Sequence, residues 1–459
     1  MRFPLRHLTR NTLARIGQSP FVRSVGVLLT GAGVAQLLSL LLLPVLTRIY
    51  SPEDFEMLAV FAAISIITYR GACLGFDYAI PLADKDEEAL DLLAAALLGV
   101  VGTTLLVAGL TALVLSALPA AIATRYASFY LLLPLSTLMI GAMLSLEFWM
   151  MRFKRFRRLS QVRVAQVLLG GAVQVGLGLA GAGAEALLIG YLLLSSGGVV
   201  LLAANAWRHD RHLLRGLNIR SATATAKRFG RFPKFTAAEG VANASGVYLP
   251  VVIVAAFLPG AEAGFLLIAL RLTQGPAVML TLAVSQVFHA GAREANLASR
   301  LGEQASSVLR GLIGISVGPV LALSIVAPDF VAILLGAEYR PVGVYIRWIM
   351  PAIWLLLLSA SIATSMHARE RNRDLLALTL FGLALRVAAV GAAAFVAAAW
   401  LIPAYALSSA LFYLLSLAVF MRVNGVRLAD IVPRGDLLAG WNLSIIGAAG
   451  MAQFYLGGS

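Results

Sequence analysis

The sequence predicts an all-α polytopic membrane protein: two pseudo-symmetric six-helix bundles around a central cavity, with an extra C-terminal helix as a further candidate. Three observations carry this. Apolar stretches follow one another from Val25 to Leu456, basic clusters fall between alternate pairs of them, and a short repeat opens the first and the seventh. A stretch of about 20 apolar residues rising ~1.5 Å each crosses the ~30 Å hydrocarbon core, and lipid offers no partner for open backbone groups, so each stretch must be helical. Alternating segments of strand length, the mark of a membrane barrel, are absent, and the runs are rich in Leu, Ala and Gly. With 459 residues that are 60% hydrophobic and 13% charged, a soluble fold would lack polar surface.

The elements follow in order. Residues 1–24 form a basic segment containing Arg2, Arg6, Arg10, Arg15 and Arg23. The apolar run behind it, 25–46, is too long for a signal-peptide core and has no small-residue cleavage site, so it is expected to stay attached as span one. Spans at 57–82, 90–118, 126–151, 162–182 and 186–206 complete an N-lobe, 25–206. A basic linker, 207–235, runs from Arg208 through Arg211, Arg215, Arg220, Lys227, Arg228 and Arg231 to Lys234. Spans at 236–258, 263–288, 308–327, 343–366, 375–400 and 402–422 make a C-lobe, 236–422. The tail, 423–459, holds the thirteenth candidate, 437–456, which is uncharged and long enough to cross. The shortest connections lie at Gly183 to Glu185 and around Pro403.

Charge sets the orientation. The even loops carry Arg152, Lys154, Arg155, Arg157, Arg158 and Arg163, the linker, and later Arg293, Arg300, Arg369, Arg371, Arg373, Arg422, Arg427 and Arg434. The odd loops offer little beyond Arg48, Arg125 and Arg340, so the N-terminus is expected in the cytoplasm. The acidic group Asp84, Asp86, Glu87 and Glu88 falls on the inside, but acidic residues contribute little to orientation. The net charge of +14 belongs to cytoplasmic loops facing anionic membrane lipids, and no nucleic acid is expected as a partner.

Soluble-enzyme motifs fail by position. Gly176, Gly178 and Gly181 spell GxGxxG inside an apolar span, where close helix packing is the expected role. No Walker-type phosphate loop occurs, the five histidines do not cluster, and the sequons at Asn243 and Asn442 fall within spans. Cys73 is the only cysteine and is expected to be a packed thiol. No catalytic machinery, metal or cofactor is expected.

The repeat is more informative. Gly33-Val34-Ala35-Gln36 is echoed by Gly240-Val241-Ala242-Asn243, Leu43-Pro44 by Leu249-Pro250, and Pro52 by Pro259. Copies six spans apart keep their orientation, which implies two parallel halves related by an axis along the membrane normal.

Several segments then resemble one family. Leu46-Thr47-Arg48, Tyr50-Ser51-Pro52-Glu53-Asp54-Phe55 and Phe76-Asp77-Tyr78-Ala79-Ile80-Pro81-Leu82 look like the ends of the first and second helices of bacterial oligosaccharide flippases. These are the Wzx-type polysaccharide transporters of the multidrug/oligosaccharidyl-lipid/polysaccharide exporter superfamily. Phe232-Pro233-Lys234-Phe235, Ser285-Gln286-Val287-Phe288 and Leu335-Gly336-Ala337-Glu338-Tyr339-Arg340 are similar to landmarks before helix seven, at the end of helix eight and before helix ten. Glu56 departs from the family, which usually has glycine there. The resemblance implies alternating-access transport of an undecaprenyl-pyrophosphate-linked oligosaccharide, an O-antigen, capsule or exopolysaccharide unit, across the bacterial inner membrane. It also implies polysaccharide polymerase and ligase partners and a coupling ion, proton or sodium; the two-lobe repeat makes a monomer sufficient. The alternatives are a multidrug or lipid II exporter of the same superfamily and a membrane glycan polymerase, though polymerases generally need a large periplasmic loop.

Membrane-embedded charges are the candidate site, because a charge at mid-bilayer costs ~2.5 to 3.5 kcal/mol on insertion scales and normally faces protein or water. Arg70, Arg271 and Arg386 are the expected contacts to a diphosphate, with Arg48 added by the family-like signature; the alternative is structural pairing, such as Arg70 with Asp77 on nearly the same face, or snorkelling. Asp77, Glu239 and Glu147 are ion-coupling candidates, the glutamates having an alternative as interfacial partners of Arg152 or Lys234. Pro44 and Pro250 are the expected flex points, at matching places in the two lobes. Tyr248 and Tyr405 are read as core residues, with sugar stacking as the alternative.

Overall fold

The computed structural model describes residues 20–214, 216, 219–258, 260–294, 301–368, 371–431 and 436–457. Expectations placed on Arg2, Arg6, Arg10, Arg15, Arg215, Pro259, Arg300, Arg369 and Arg434 lie outside the described residues.

The described residues are helical, without strands. The helices are α1 Pro20–Leu46, α2 Pro52–Ala72, α3 Phe76–Ala79 continued by a 3-10 turn at Ile80–Leu82, α4 Asp86–Ala117, α5 Ala120–Arg125, α6 Phe129–Arg152, α7 Phe156–Leu179, α8 Gly183–Ser196 and α9 Val199–Leu214. After the linker helix α10, Ile219–Arg228, a wide π turn at Phe232–Ala237 leads into α11 Ala238–Phe257, α12 Glu262–Glu294, α13 Leu301–Leu335, α14 Arg340–Ala368, α15 Asn372–Val396, α16 Leu401–Asn424, the short α17 Leu428–Ile431 and α18 Asp436–Gly457. Among the described residues eleven helical stretches are long and apolar enough to cross a membrane, α8 and α9 counting as one from Gly183 to Leu213. The apolar parts of α1 and α18 add Gly31–Leu46 and Asn442–Met451. The chain is a multi-pass, all-α membrane protein.

The helices fall into two compact units, one of residues up to Leu42 with Thr68–Ala237, the other of Leu43–Ile67 with the residues from Ala238 onward. The tip of the first helical hairpin, counted in the N-lobe by sequence, thus packs with the second unit.

In the first unit, Trp149 is fully buried and its indole N–H donates to Asp210 Oδ2 at 2.9 Å. Arg155 grips the same carboxylate with two nitrogens at 2.7 and 2.6 Å. Asp210 sits at a kink in α9, with φ −118° and ψ 15°, so the network fixes a bend that helical hydrogen bonds alone would not hold. Helices α7 and α8 meet through small residues: a Cβ at Gly170 would lie 2.7 Å from Leu194, and the Gln174 amide donates to Leu187 O at 3.2 Å. The close packing expected at Gly176 is not found. Gly176 faces open space, and Gly181 serves the turn instead, at φ 82°. Cys73 is buried, its sulfur 3.3 Å from Gly141 O and from Ser145 Oγ.

A further correction concerns the second span. One helix was expected from 57 to 82, but α2 ends at Ala72 because Leu74 and Gly75 adopt left-handed conformations at φ 51° and 73°. A Cβ at Gly75 would lie 3.0 Å from Phe232 O, so the glycine admits the π turn as well as the bend. Asp77 therefore occupies a separate short helix and does not share a face of α2 with Arg70.

In the second unit, Tyr339 is fully buried and its hydroxyl donates to Tyr50 O at 2.9 Å. Its ring meets Phe55 and Phe265 edge-on, with centroids 5.8 and 5.9 Å away. Gly264 lets α12 approach the start of α2, where a Cβ would lie 2.8 Å from the backbone of Phe55 and Glu56. Burial and the neighbouring Asp54 carboxylate push the Tyr50 phenol up to about 12, so it stays neutral. Helix α18 lies along α13: Asn442 donates to Gly314 O at 2.9 Å and accepts from Gly318 N–H at 2.7 Å, and Gln453 donates to Asp329 at 2.5 Å. Both sets of numbers rise together, so α18 runs parallel to α13 along its stretch from Gly314 to Asp329.

Tyr339→Phe should lower stability by about 1 kcal/mol, the net value of one buried hydrogen bond, and Gly264→Val by more, because its clash is with backbone. Thermal unfolding in detergent measures both.

Candidate functional site

The sequence-derived site residues divide between the two units. In the first, Arg70 closes the last turn of α2 and is exposed, its guanidinium 5.7 Å from the Tyr69 ring centroid. Asp77 is buried at 5% exposure, and its Oδ1 has no hydrogen-bond partner. Glu147 pairs with Arg163 at 3.3 Å. The alternative partner, Arg152, is engaged elsewhere: it holds Asp86 at 2.7 Å and donates to Ala83 O at 2.7 Å and Ile80 O at 3.2 Å, tying the turn after α3 to α6.

In the second unit, Arg48 is exposed just past the end of α1 and donates to Pro44 O at 2.9 Å, with the Thr47 hydroxyl on the same oxygen at 3.3 Å. These bonds serve a carbonyl that the ending helix leaves open. Arg271 is half-buried on α12.

Arg386 differs from the others. It lies in the middle of α15 at 1% exposure, its guanidinium 4.3 Å from the Phe412 ring centroid and 5.1 Å from that of Tyr413. Its Nε and Nη2 have no hydrogen-bond partner. Two aromatic faces contribute about 2 kcal/mol or somewhat more, whereas burying an ion carries an effective penalty of several kcal/mol. The site is built to hold a cation at a net cost to stability.

The neighbours follow from helix geometry. Helices α11 and α15 lie side by side in parallel, so Glu239 and Thr379 meet at one level, with the Thr379 hydroxyl 3.3 Å from Glu239 Oε1, and Gly246 and Arg386 meet two turns further on. A Cβ at Gly246 would lie 2.5 Å from Arg386 Nη1, so glycine is what admits the guanidinium. Pro250 lies inside α11 and lacks the N–H that would otherwise bond the Gly246 carbonyl. The expected flex point and the buried cation are thus one local arrangement. Tyr405 is buried nearby, within electrostatic reach of Arg386 and Tyr248, as a core residue.

Sequence reasoning missed Thr379, Phe412 and Tyr413. A polar Thr379 seven residues before Arg386, on its face of the helix, was a readable signal. The aromatic pair on α16 was not, because nothing local distinguishes it from core. Arg347 is exposed and donates to Ser324 O and Ile325 O, both at 3.1 Å. Pro328 leaves the Ser324 carbonyl without its helical donor, and Arg347 replaces it.

Arg386→Met should leave thermal stability unchanged or raise it by about 1 kcal/mol, since replacing buried ionic groups by apolar ones of similar volume is often neutral or stabilising. A marked loss in the melting temperature would mark the guanidinium as structural.

Comparison with known proteins follows the same lines. No curated protein matches the chain in sequence. Among solved structures, "Lipid II flippase MurJ, inward closed conformation" is similar with a TM-score of 0.66 at 12% identity, covering 93% of this chain and 91% of that one. A MATE protein in complex with MaL6 aligns with a TM-score of 0.60 at 13% identity, over 87% of this chain and 96% of that one. The eukaryotic MATE transporter AtDTX14 gives 0.57 at 14% identity, over 94% and 100%. These likenesses establish a shared fold. A family model described as "Polysaccharide biosynthesis protein" matches residues 45–343, from the end of α1 into α14 and through both partners of the Tyr339 to Tyr50 bond, and the chain belongs to that family.

Proposed function

We propose that this protein flips an undecaprenyl-pyrophosphate-linked oligosaccharide from the cytoplasmic to the periplasmic leaflet of a bacterial inner membrane by alternating access, with its N-terminus in the cytoplasm. The observation that carries this reading is Arg386, a buried cation whose Nε and Nη2 have no hydrogen-bond partner. A polysaccharide-biosynthesis family and a fold shared with a lipid II flippase support the same reading. An oligosaccharide cannot cross hydrocarbon without losing its hydrogen bonds to water, while its lipid tail can stay in the bilayer. A diphosphate needs cations beside it, and a guanidinium can engage phosphate oxygens with two donors. Arg70, Arg271 and Arg386 are the proposed phosphate contacts, with Arg48 near the outer boundary. Pro44 and Pro250 supply the bending, Asp77, Glu239 and Glu147 are candidates for coupling to a proton or sodium ion, and a polymerase and ligase would consume the product.

Flipping of a fluorescent lipid-linked oligosaccharide in proteoliposomes should fall by tenfold or more, on the order of 1.4 kcal/mol, in each of Arg70→Ala, Arg271→Ala and Arg386→Ala. Wild-type rates and affinities in all three would remove the phosphate role. Export of lipid II is the second reading, supported by the likeness to MurJ, and the same assay with lipid II as substrate separates the two.

The Glu239→Gln variant tests coupling. If Glu239 carries the proton, its removal should flatten the pH dependence of transport, and an unchanged profile excludes it.

A further inference from the structure

The break after α2 has a second effect in the first unit. Where the chain turns away at Leu74, a groove of about 450 Å³ opens along α4 from Ala95 to Leu106 and ends against Ala222 and Thr223 of the linker helix α10. Its walls are almost wholly apolar. At ~1.5 Å per residue the stretch from Ala95 to Leu106 rises about 16 Å, half of the ~30 Å hydrocarbon core and so the depth of one leaflet.

Basic residues flank the groove's end on α10. Arg220 and Lys227 are exposed on α10, seven residues apart and on either side of Thr223 along one face of the helix. Carboxylates of α4 hold the linker helix and α6 near this end. Asp91 accepts from the hydroxyls of Ser221 at 2.5 Å and Thr225 at 2.8 Å, Glu88 pairs with Arg228, and Asp86 pairs with Arg152. These contacts hold α10 on α4 through Ser221, Thr225 and Arg228, while Arg220 and Lys227 flank Thr223, which lines the groove. An apolar slot one leaflet deep, ending at two cations, matches one acyl chain below one anionic headgroup. A polyprenyl tail is much longer than the slot.

We propose that this groove binds a single anionic diacyl phospholipid, with an acyl chain along α4 and the phosphate against Arg220 and Lys227. None of Arg48, Arg70, Arg271 and Arg386 lines the groove, so the two proposals are tested by different residues.

Native mass spectrometry of the full-length protein in detergent tests it, with phosphatidylglycerol, phosphatidylcholine, undecaprenyl phosphate and glycerophosphoglycerol as probes. The wild type should retain phosphatidylglycerol over phosphatidylcholine by about tenfold, the order expected of two interfacial cations. Gly102→Leu places a side chain where nothing lies within 4 Å, so it fills the groove without displacing a neighbour and should abolish retention. Thr223→Trp blocks the other end and should do the same. Arg220→Ala with Lys227→Ala should bring the preference between the two phospholipids close to one. Unchanged phosphatidylglycerol binding in both Gly102→Leu and Thr223→Trp would overturn the proposal. Displacement by equimolar undecaprenyl phosphate would overturn it in favour of the carrier's own tail, and equal binding of chain-free glycerophosphoglycerol would remove the acyl half.

Discussion

The constraint on which this structure depends is that a polar group inside hydrocarbon must find its partner within the protein. Each departure from regular helix is answered locally. Pro328 frees the Ser324 carbonyl, and Arg347 donates to it from the next helix. The kink at Asp210 is held by Trp149 and Arg155. Asn442 donates to one residue of α13 and accepts from another a turn later. Against that background Arg386 stands out, because its cost is carried without two of the bonds that would offset it. Local violations of an otherwise consistent design are where function is expected.

Glycine does much of what apolar collapse does in water. Lipid tails are as apolar as leucine, so helices associate where small residues let backbones approach. Gly264 admits Phe55, Gly343 admits the backbone of Ala327 and Pro328, and Gly382 admits the Phe412 ring. The last contact seats the ring that faces Arg386. One glycine, Gly382, therefore serves both packing and the geometry of the candidate site.

The apolar row was legible in the sequence because length and composition alone decide whether a helix can cross. Its interruption at Leu74 and Gly75 was not, since Leu74 reads as one more apolar residue and the close approach of the distant π turn to Gly75 leaves no local mark. Arg386 was legible as a charge in apolar surroundings, but its cage of Phe412 and Tyr413 comes from another helix and carries no local mark. The paired signatures around Tyr50 and Tyr339 were visible as separate segments. Their reason became visible only when a hydrogen bond joined positions 289 residues apart.

The parallel course of α13 and α18 has a consequence for biogenesis. Neighbours in a helical hairpin can leave the insertion machinery as a pair, each satisfying the other, but parallel helices cannot. Asp329 meets Arg340 at 2.7 Å from its own hairpin, yet its other oxygen is met by Gln453, made more than a hundred residues later. The Gly314 carbonyl and the Gly318 amide likewise receive Asn442 only when that helix arrives. Until α18 arrives, the polar groups of α13 that it meets are unfinished, so its docking is the step at which this seam closes.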